Sequence, residues 1–248
     1  MDKDQQIPSS KVSIVIPCYN EEEGIPHLVP HILGVAKILH EDGYECEFLF
    51  VNDGSTDNTL AVLEEGFKDV PHVSIISYEQ NKGFGGALRS GLEQAQGELV
   101  VTIDADSNYD HFEIPEILKA LTSDYDVVTA SPWHPSGTKS NFPFHRFIFS
   151  ITLSKMYSFF LGRNVPNLST YSSGFRVYRR EVVDSVHFKA NDFLATAEFL
   201  IRSLKAGYRV KEFPTVVYQR KFGSSKLKTL QTIKSHLGFM LELWRERA

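Results

Sequence analysis

Short apolar runs rich in Val and Ile recur along the first half of the chain: VSIVIPCYN at 12–20, CEFLFVND at 46–53, VSIISY at 73–78 and LVVTIDAD at 99–106. Stretches with helical spacing of apolar residues separate them, at 24–40, 57–67 and 83–95. Short runs that are apolar throughout suit strands buried on both faces. Their alternation with helices predicts a mostly parallel sheet covered on both sides, an α/β class fold. Ser55 or Asp57 can cap the second helix, and Pro115 suits the first turn of a later one.

The second half continues less regularly. A strand YDVVTA (125–130) precedes the loop SPWHPSGTKSNFP (131–143), long and Pro/Gly/Ser-rich enough for a lid. An apolar helix at 144–161, a turn at 162–167 and a strand GFRVYRR (174–180) follow. Next come a helix through AEFLIRSLKAG, a strand YRVKEFPTVVYQR and a last helix from about Leu227. Neither repeats nor a long linker interrupt the pattern. The expected division is a single domain over 1–226 and an amphipathic helix over 227–248, packed on that domain or on a membrane surface.

With 248 residues, 42% of them hydrophobic, the chain can bury one sizeable core. Two cysteines, Cys18 and Cys46, are too few for a disulfide scaffold, so a reduced cytoplasmic setting is expected. The polar, acidic start MDKDQQIPSSK is no secretory signal. The run FIFSITLSKMYSFFL (147–161) contains Lys155 and falls short of the roughly 20 apolar residues that span a bilayer. The net charge of −5 conceals an asymmetry. Residues 1–110 hold 6 Lys and Arg against 20 Asp and Glu, a balance of −14; residues 201–248 hold 11 against 3, a balance of +8. An acidic half suits cations and a basic tail suits anionic surfaces, although unevenly distributed solvated faces would look the same.

Candidate chemistry sits where the strands end. In open α/β sheets ligands bind beyond the carboxyl ends of the strands. Four such ends are polar or Gly-rich: PCYNEEE, NDGSTDNT, NKGFGGA and DADSN. Gly83, Gly85 and Gly86 fail the GxGxxG fingerprint because position 88 is Leu, and the Walker pattern is absent. Asp104 and Asp106, two residues apart on a strand, would project to the same side. Paired carboxylates suit Mg²⁺ or Mn²⁺ carrying a diphosphate, whereas an Asp pair in a turn is the plainer alternative.

The chain resembles family 2 glycosyltransferases of the GT-A fold, within them the dolichol-phosphate mannose synthase-like group. The resemblance rests on VSIVIPCYNEEEGI, VNDGSTDNT, NKGFGGALRSGLEQAQGELVVTIDAD, SSGFRVYRREV and AGYRVKEFPTVVYQRKFGSSKL, spanning about 12–227. It implies a Rossmann-like, three-layer α/β/α sandwich. Pro17, Tyr19, Glu21, Lys82, Gly83 and Ala105 would line the nucleotide pocket, with Asp53 bonding the base. Asp104 would meet sugar and diphosphate, and Asp106 the metal. Asn108 stands where the family often has a Gln ligand, one methylene longer. Arg146, Arg176, Arg220 and Lys226 would bind donor or acceptor phosphates, which fork-shaped guanidinium groups recognise well. One departure is Ala130-Ser131-Pro132 in place of the family's usual Gly-Ser-Arg; His134, Lys139 or His145 would have to substitute.

The implied reaction is inverting transfer of a hexose, mannose or glucose, from a GDP- or UDP-sugar to dolichyl or undecaprenyl phosphate. A polyprenyl phosphate, with a second pKa of about 6, needs no base. A hydroxyl acceptor would need one, with Asp192 and Glu198 as candidates, although Glu198 is spaced to pair with Arg202 on a helix surface. The alternatives are a hydroxyl acceptor, a nucleotide-binding homologue without catalysis, or a nucleotidyltransferase; nucleic-acid binding lacks a recognised motif. The helices at 144–161 and 227–248 suit a membrane interface or the protein's own core. The family's membrane-spanning C-terminal extensions are not found, which implies a soluble or peripheral catalytic unit with a membrane-embedded partner.

Overall fold

The computed structural model describes residues 10–139, 144–162, 166–223 and 229–246, the side chains of 139, 144–146 and 229 excepted. Its elements are, in order, β1 (Lys11–Cys18), α1 (Ile25–Glu41), β2 (Glu45–Asp53), α2 (Thr59–Gly66), β3 (Val73–Tyr78), α3 (Phe84–Gln94) and β4 (Leu99–Thr102). A single 3-10 turn then leads into α4 (Ile114–Lys119), β5 (Val127–Ser131), β6 (Thr138–Lys139) and α5 (Phe144–Leu161). The chain closes with β7 (Arg176–Arg179), α6 (Arg180–Ser185), α7 (Leu194–Lys205), β8 (Val210–Pro214), β9 (Val216–Val217) and α8 (Thr229–Arg245).

Seven strands form one sheet in the order β3-β2-β1-β4-β7-β5-β8. Every pair is parallel except those of β7, which runs against both β4 and β5. The mostly parallel expectation therefore stands, with GFRVYRR as the reversed strand. Side chains of β1 alternate between two cores. Val15 joins Val51, Val100, Leu88 and Leu92 on the face covered by α3, α5, α7 and α8. Ile14 and Ile16 join Phe48, Phe50, Leu28 and Ile32 on the face of α1, α2 and α4. Burial on both faces explains the unbroken apolar runs.

Two expected strands come out differently. LVVTIDAD pairs only over 99–102, so Asp104 and Asp106 lie beyond the ladder in a turn with Ser107 at φ 56°. Their proximity comes from that turn, not from the pleat of one extended strand. YRVKEFPTVVYQR divides after Pro214, which has no N–H for a ladder; β9 leaves the main sheet to pair with β6. That pairing docks the start of the 131–143 loop, and Trp133 Nε1 donates to Ser150 Oγ of α5 at 2.7 Å. Residues 140–143 of the expected lid lie outside the described residues.

Helix α8 is part of the fold. Phe239, Met240 and Leu243 are buried, and Arg202 of α7 donates to Glu242 at 2.8 Å. His236 Nδ1 lies 2.6 Å from the Tyr157 hydroxyl of α5. The opposite side exposes Leu230, Leu237, Leu241 and Trp244. Among the described residues no helix is long and apolar enough to cross a membrane.

Burial pushes the His236 imidazole down to about 4 and that of the fully buried His111 to about 4. An unfolded histidine titrates near 6.5. Between those values the unfolded chain binds more protons, so both groups stabilise the fold above about pH 6.5 and lose that contribution as pH falls towards 4. Urea unfolding followed from pH 7 to 4 is expected to show a shallower decline in His236→Gln than in the wild type.

Candidate active site

Strand β1 stands between β2 and β4, and the chain leaves their carboxyl ends in opposite directions, which opens a crevice there. The crevice holds a cleft of about 810 Å³. Pro17, Cys18 and Tyr19 line it from the end of β1, Asp53 from β2, and residues 81–84 from the approach to α3. Residues 104–106 and 108 close the β4 side.

Asp53 is buried at the cleft floor. Its Oδ1 accepts from Lys82 N at 2.8 Å, and Asn81 Nδ2 donates to its backbone carbonyl at 2.9 Å. Among the described residues Oδ2 has no hydrogen-bond partner, and burial raises the carboxyl's pKa. A buried, unsatisfied carboxylate oxygen facing a cleft needs an N–H donor from a ligand.

Two loops around this floor are stitched together by NDGSTDNT. Asn20 N donates to Ser55 Oγ at 3.0 Å, Thr56 N to Asn20 Oδ1 at 2.8 Å, and Glu21 N to Thr59 Oγ1 at 2.7 Å. Asp57, one residue before the Asn58 N-cap of α2, accepts from Thr59 N at 2.9 Å. The glycines of NKGFGGA serve close packing: a Cβ on Gly83 or Gly85 would lie 2.2 Å from Asn191 O or 2.1 Å from Ala190 O. The 188–191 loop is in turn held by Arg89, whose Nη1 donates to Phe188 O and Ala190 O, and by Glu198.

The β4 side concentrates negative charge. Burial, then the charges of Asp106 and Glu21, push the Asp104 carboxyl up to about 7; Arg220 and Arg176 oppose them. Gly174 makes room for that carboxylate, since a Cβ there would lie 2.8 Å from Asp104 Oδ2. Asp106 accepts from Asn108 N at 3.1 Å and Asn108 Nδ2 at 2.6 Å. Arg220 pairs with Glu21 through Nη2, and its Nη1 lies 3.8 Å from Asp106 Oδ2. Among the described residues no three His, Cys, Asp or Glu side chains form a complete metal cage. One or two carboxylates with excess negative charge nonetheless fit a hard divalent cation that draws its other ligands from phosphates and water.

The sequence model of Glycosyl transferase family 2 matches residues 13–186. The chain belongs to that family. This glycosyltransferase is 28% identical over 227 residues to a polyprenol monophosphomannose synthase of Mycolicibacterium smegmatis, covering 89% of this chain and 82% of the relative. It is 32% identical over 229 residues to an undecaprenyl-phosphate 4-deoxy-4-formamido-L-arabinose transferase of Proteus mirabilis, covering 90% of this chain and 65% of the relative. The chain thus spans about two thirds of the length of that second protein. In fold it is similar to glucosyl-3-phosphoglycerate synthase of Mycobacterium tuberculosis, with a TM-score of 0.70, 20% identity, and coverage of 94% and 80% of the two chains. The expected GT-A architecture follows.

All eight residues expected to hold a nucleotide line the glycosyltransferase's cleft: Pro17, Tyr19, Glu21, Asp53, Lys82, Gly83, Asp104 and Ala105. Asp106, Asn108 and Arg220 join them. Three of the expected site residues bond to protein groups. Asn108 donates its amide N–H to Asp106 and so orients that carboxylate. Arg176 is buried behind the site, donating to Thr129 Oγ1, Thr196 O and Tyr171 O, and it acts on Asp104 through its field. Glu198 is buried outside the cleft, where its Oε2 accepts from Lys189 N at 3.1 Å and Ala190 N at 2.8 Å, and its Oε1 from Arg202 at 2.7 Å. There it holds the 188–191 loop. The Arg146 side chain and Lys226 lie outside the described residues, as do the side chains of Lys139 and His145. His134 turns back on its own loop, its Nδ1 accepting from Ser136 N at 3.2 Å.

Sequence reading missed Asn81, Phe84, Asn191, Phe193, Gln231 and Thr232 as lining residues. Asn81 had a signal in its place before GFGGA. The α8 residues had none, since only tertiary packing brings them in. Glu198→Ala would remove one of the two carboxylates that Arg202 meets and leave two backbone donors unpaired, so urea unfolding should show a loss of about 2–4 kcal/mol. Asp106→Ala should change stability by less than about 1 kcal/mol; equal losses would contradict the division of roles.

Proposed function

We propose that this glycosyltransferase is inverting and divalent-metal-dependent, and moves a hexose from a GDP- or UDP-sugar to a polyprenyl phosphate. The observation that carries the reading is the union, in one cleft, of the unsatisfied Asp53 oxygen with the Asp104–Asp106 pair. The first meets a base, the second a diphosphate. The acceptor class is supported by the names of the two relatives, a polyprenol monophosphomannose synthase and an undecaprenyl-phosphate transferase. Metal use is supported by the carboxylate site, with Mn²⁺ or Mg²⁺ equally suited to its oxygen donors.

Asp53 Oδ2 accepts an N–H of the base, which uracil and guanine both offer. Asp106, oriented by Asn108, would hold a cation together with the donor's phosphates, and Asp104 would orient sugar and diphosphate. Such a cation would supply positive charge to the departing diphosphate. Arg220 supplies further positive charge at the same place. A phosphate acceptor is already anionic at neutral pH and requires no proton transfer to the protein.

A second reading, a hydroxyl acceptor, is favoured by Asp192, which lines the cleft and accepts from Leu194 N at 3.0 Å and Ser235 Oγ at 2.5 Å. Those bonds fix its direction at the cleft wall, as a general base requires. Transfer of radiolabelled hexose into organic solvent supports the polyprenyl acceptor; label kept in the aqueous phase supports the hydroxyl one. For the donor, calorimetry with GDP and UDP should show metal-dependent binding of one of them, lost in Asp106→Ala and weakened about tenfold or more in Asp53→Asn.

A lipid acceptor also gives the outward apolar side of α8 an occupant. Leu230, Leu237, Leu241 and Trp244 are exposed there, with Lys234 and Arg245 on the same helix, and they seat the enzyme on an anionic membrane face. The chain should therefore co-sediment with anionic vesicles, and Leu241→Glu with Trp244→Glu should abolish this while leaving nucleotide binding intact.

A further inference from the structure

The segment 218–223 crosses the mouth of the cleft as a strap tied at both ends. Tyr218 N donates to Asn108 O at 2.8 Å on the β4 side. On the β1 side, Gly223 N donates to Glu23 Oε2 at 3.0 Å, and the Phe222 ring stacks on His27 of α1 with centroids 4.2 Å apart and planes within 7°. Arg220 sits at the middle of the strap. Its Nε donates to Phe222 O at 2.5 Å, which turns the guanidinium inward to Glu21 and Asp106. Its side chain is only 14% exposed.

The guanidinium is therefore held by Glu21 beside the Asp106 carboxylate, its Nη1 3.8 Å from the Oδ2 that a divalent cation would take. Two cations cannot share one carboxylate oxygen at contact distance without repulsion, which is strong where water is partly excluded. The geometry points to Arg220 as a built-in counter-ion that competes with the metal for Asp106, with Glu21 as the carboxylate that holds it in the unloaded state. Loading the cleft with metal and diphosphate moves Arg220 off Asp106 and onto phosphate oxygens, which take its fork in bidentate fashion. Metal alone opens the latch; metal with nucleotide closes it again on the ligand. By linkage, whatever holds Arg220 on Asp106 weakens the metal by the same factor.

The inference rests on the proposed metal–diphosphate reading and assigns regulation to that site. Its test uses the full chain and Mn²⁺ as probe, by electron paramagnetic resonance or calorimetry, first without nucleotide. Arg220→Gln is expected to bind Mn²⁺ roughly three- to tenfold more tightly than wild type. Lys221→Gln, which removes the same charge from the exposed neighbouring position, should change the affinity little. With GDP or UDP added, the order should reverse, since Arg220→Gln lacks the phosphate contact. A second readout needs no variant: trypsin cleavage after Lys221 of the wild type should speed up with Mn²⁺ alone and slow down with Mn²⁺ and nucleotide together.

Equal affinities in the two variants, or cleavage indifferent to Mn²⁺, would overturn the latch while metal-dependent nucleotide binding persists. Failure of wild type and both variants to bind Mn²⁺ with or without nucleotide would remove the metal–diphosphate reading itself, and the latch with it.

Discussion

Like charges held at close range organise this molecule. Asp104, Asp106 and Glu21 converge beyond the carboxyl ends of β1 and β4, where burial removes much of the screening that water would give. Such a cluster persists in a stable fold only if positive groups stand close by. Two arginines do so here from opposite sides, and their different settings decide what each can do. Arg176 is enclosed behind the sheet, with two of its bonds going to the carbonyls of Tyr171 and Thr196. Arg220 comes from a strap at the rim and, among the described residues, forms its ion pairs with Glu21 and Asp106.

The buried arginine also ties the site to the scaffold. Its acceptors lie in the segment leading to β7 and in the first turn of α7, so one guanidinium fixes both to the strand beside Asp104. The same division recurs on the far wall. Glu198, inside the protein, holds Lys189 and Ala190 by their N–H groups, and that loop presents Asn191 and Asp192 to the cleft. Charged groups that look chemical in the sequence are thus spent on backbone, because a buried charge must be satisfied and the neighbouring N–H or C=O groups are what lies in reach.

This explains which parts of the sequence were legible. Runs such as VSIVIP and FLFVN announced buried strands because both faces carry apolar residues, a property of the chain itself. The ends of strands were harder. Ile103 and Ala105 are apolar and buried, so they prolong the pattern of β4, yet pairing stops at Thr102, and a turn with positive φ at Ser107 redirects the chain. Burial and pairing coincide in most strands and separate here. The residues that line the cleft near β1, β2 and β4 were readable from local motifs at four strand ends. The roles of Arg176 and Glu198 were not, since a sequence shows the charge of a side chain and not the side of the sheet on which it ends up. Gln231 and Thr232 reach the cleft only because α8 packs against α5 and α7, across more than a hundred residues from the motif strands.

The settings of the two arginines also bear on what can change during turnover. Moving Arg176 would break bonds to three separate segments and expose buried acceptors, so it serves as a constant field on Asp104. Arg220 donates to one carbonyl of its own strap and otherwise meets carboxylates near solvent, where exchange of one anionic partner for another conserves the interaction. A diphosphate would offer that exchange, and in the proposed metal-loaded state a cation on Asp106 would take the place of Arg220. A site with only the buried arginine would hold its acidic cluster in one state, and a site with only the rim arginine would leave Asp104 without counter-charge each time the strap let go. Having both lets the cluster keep one fixed neighbour while the other is handed between protein and ligand.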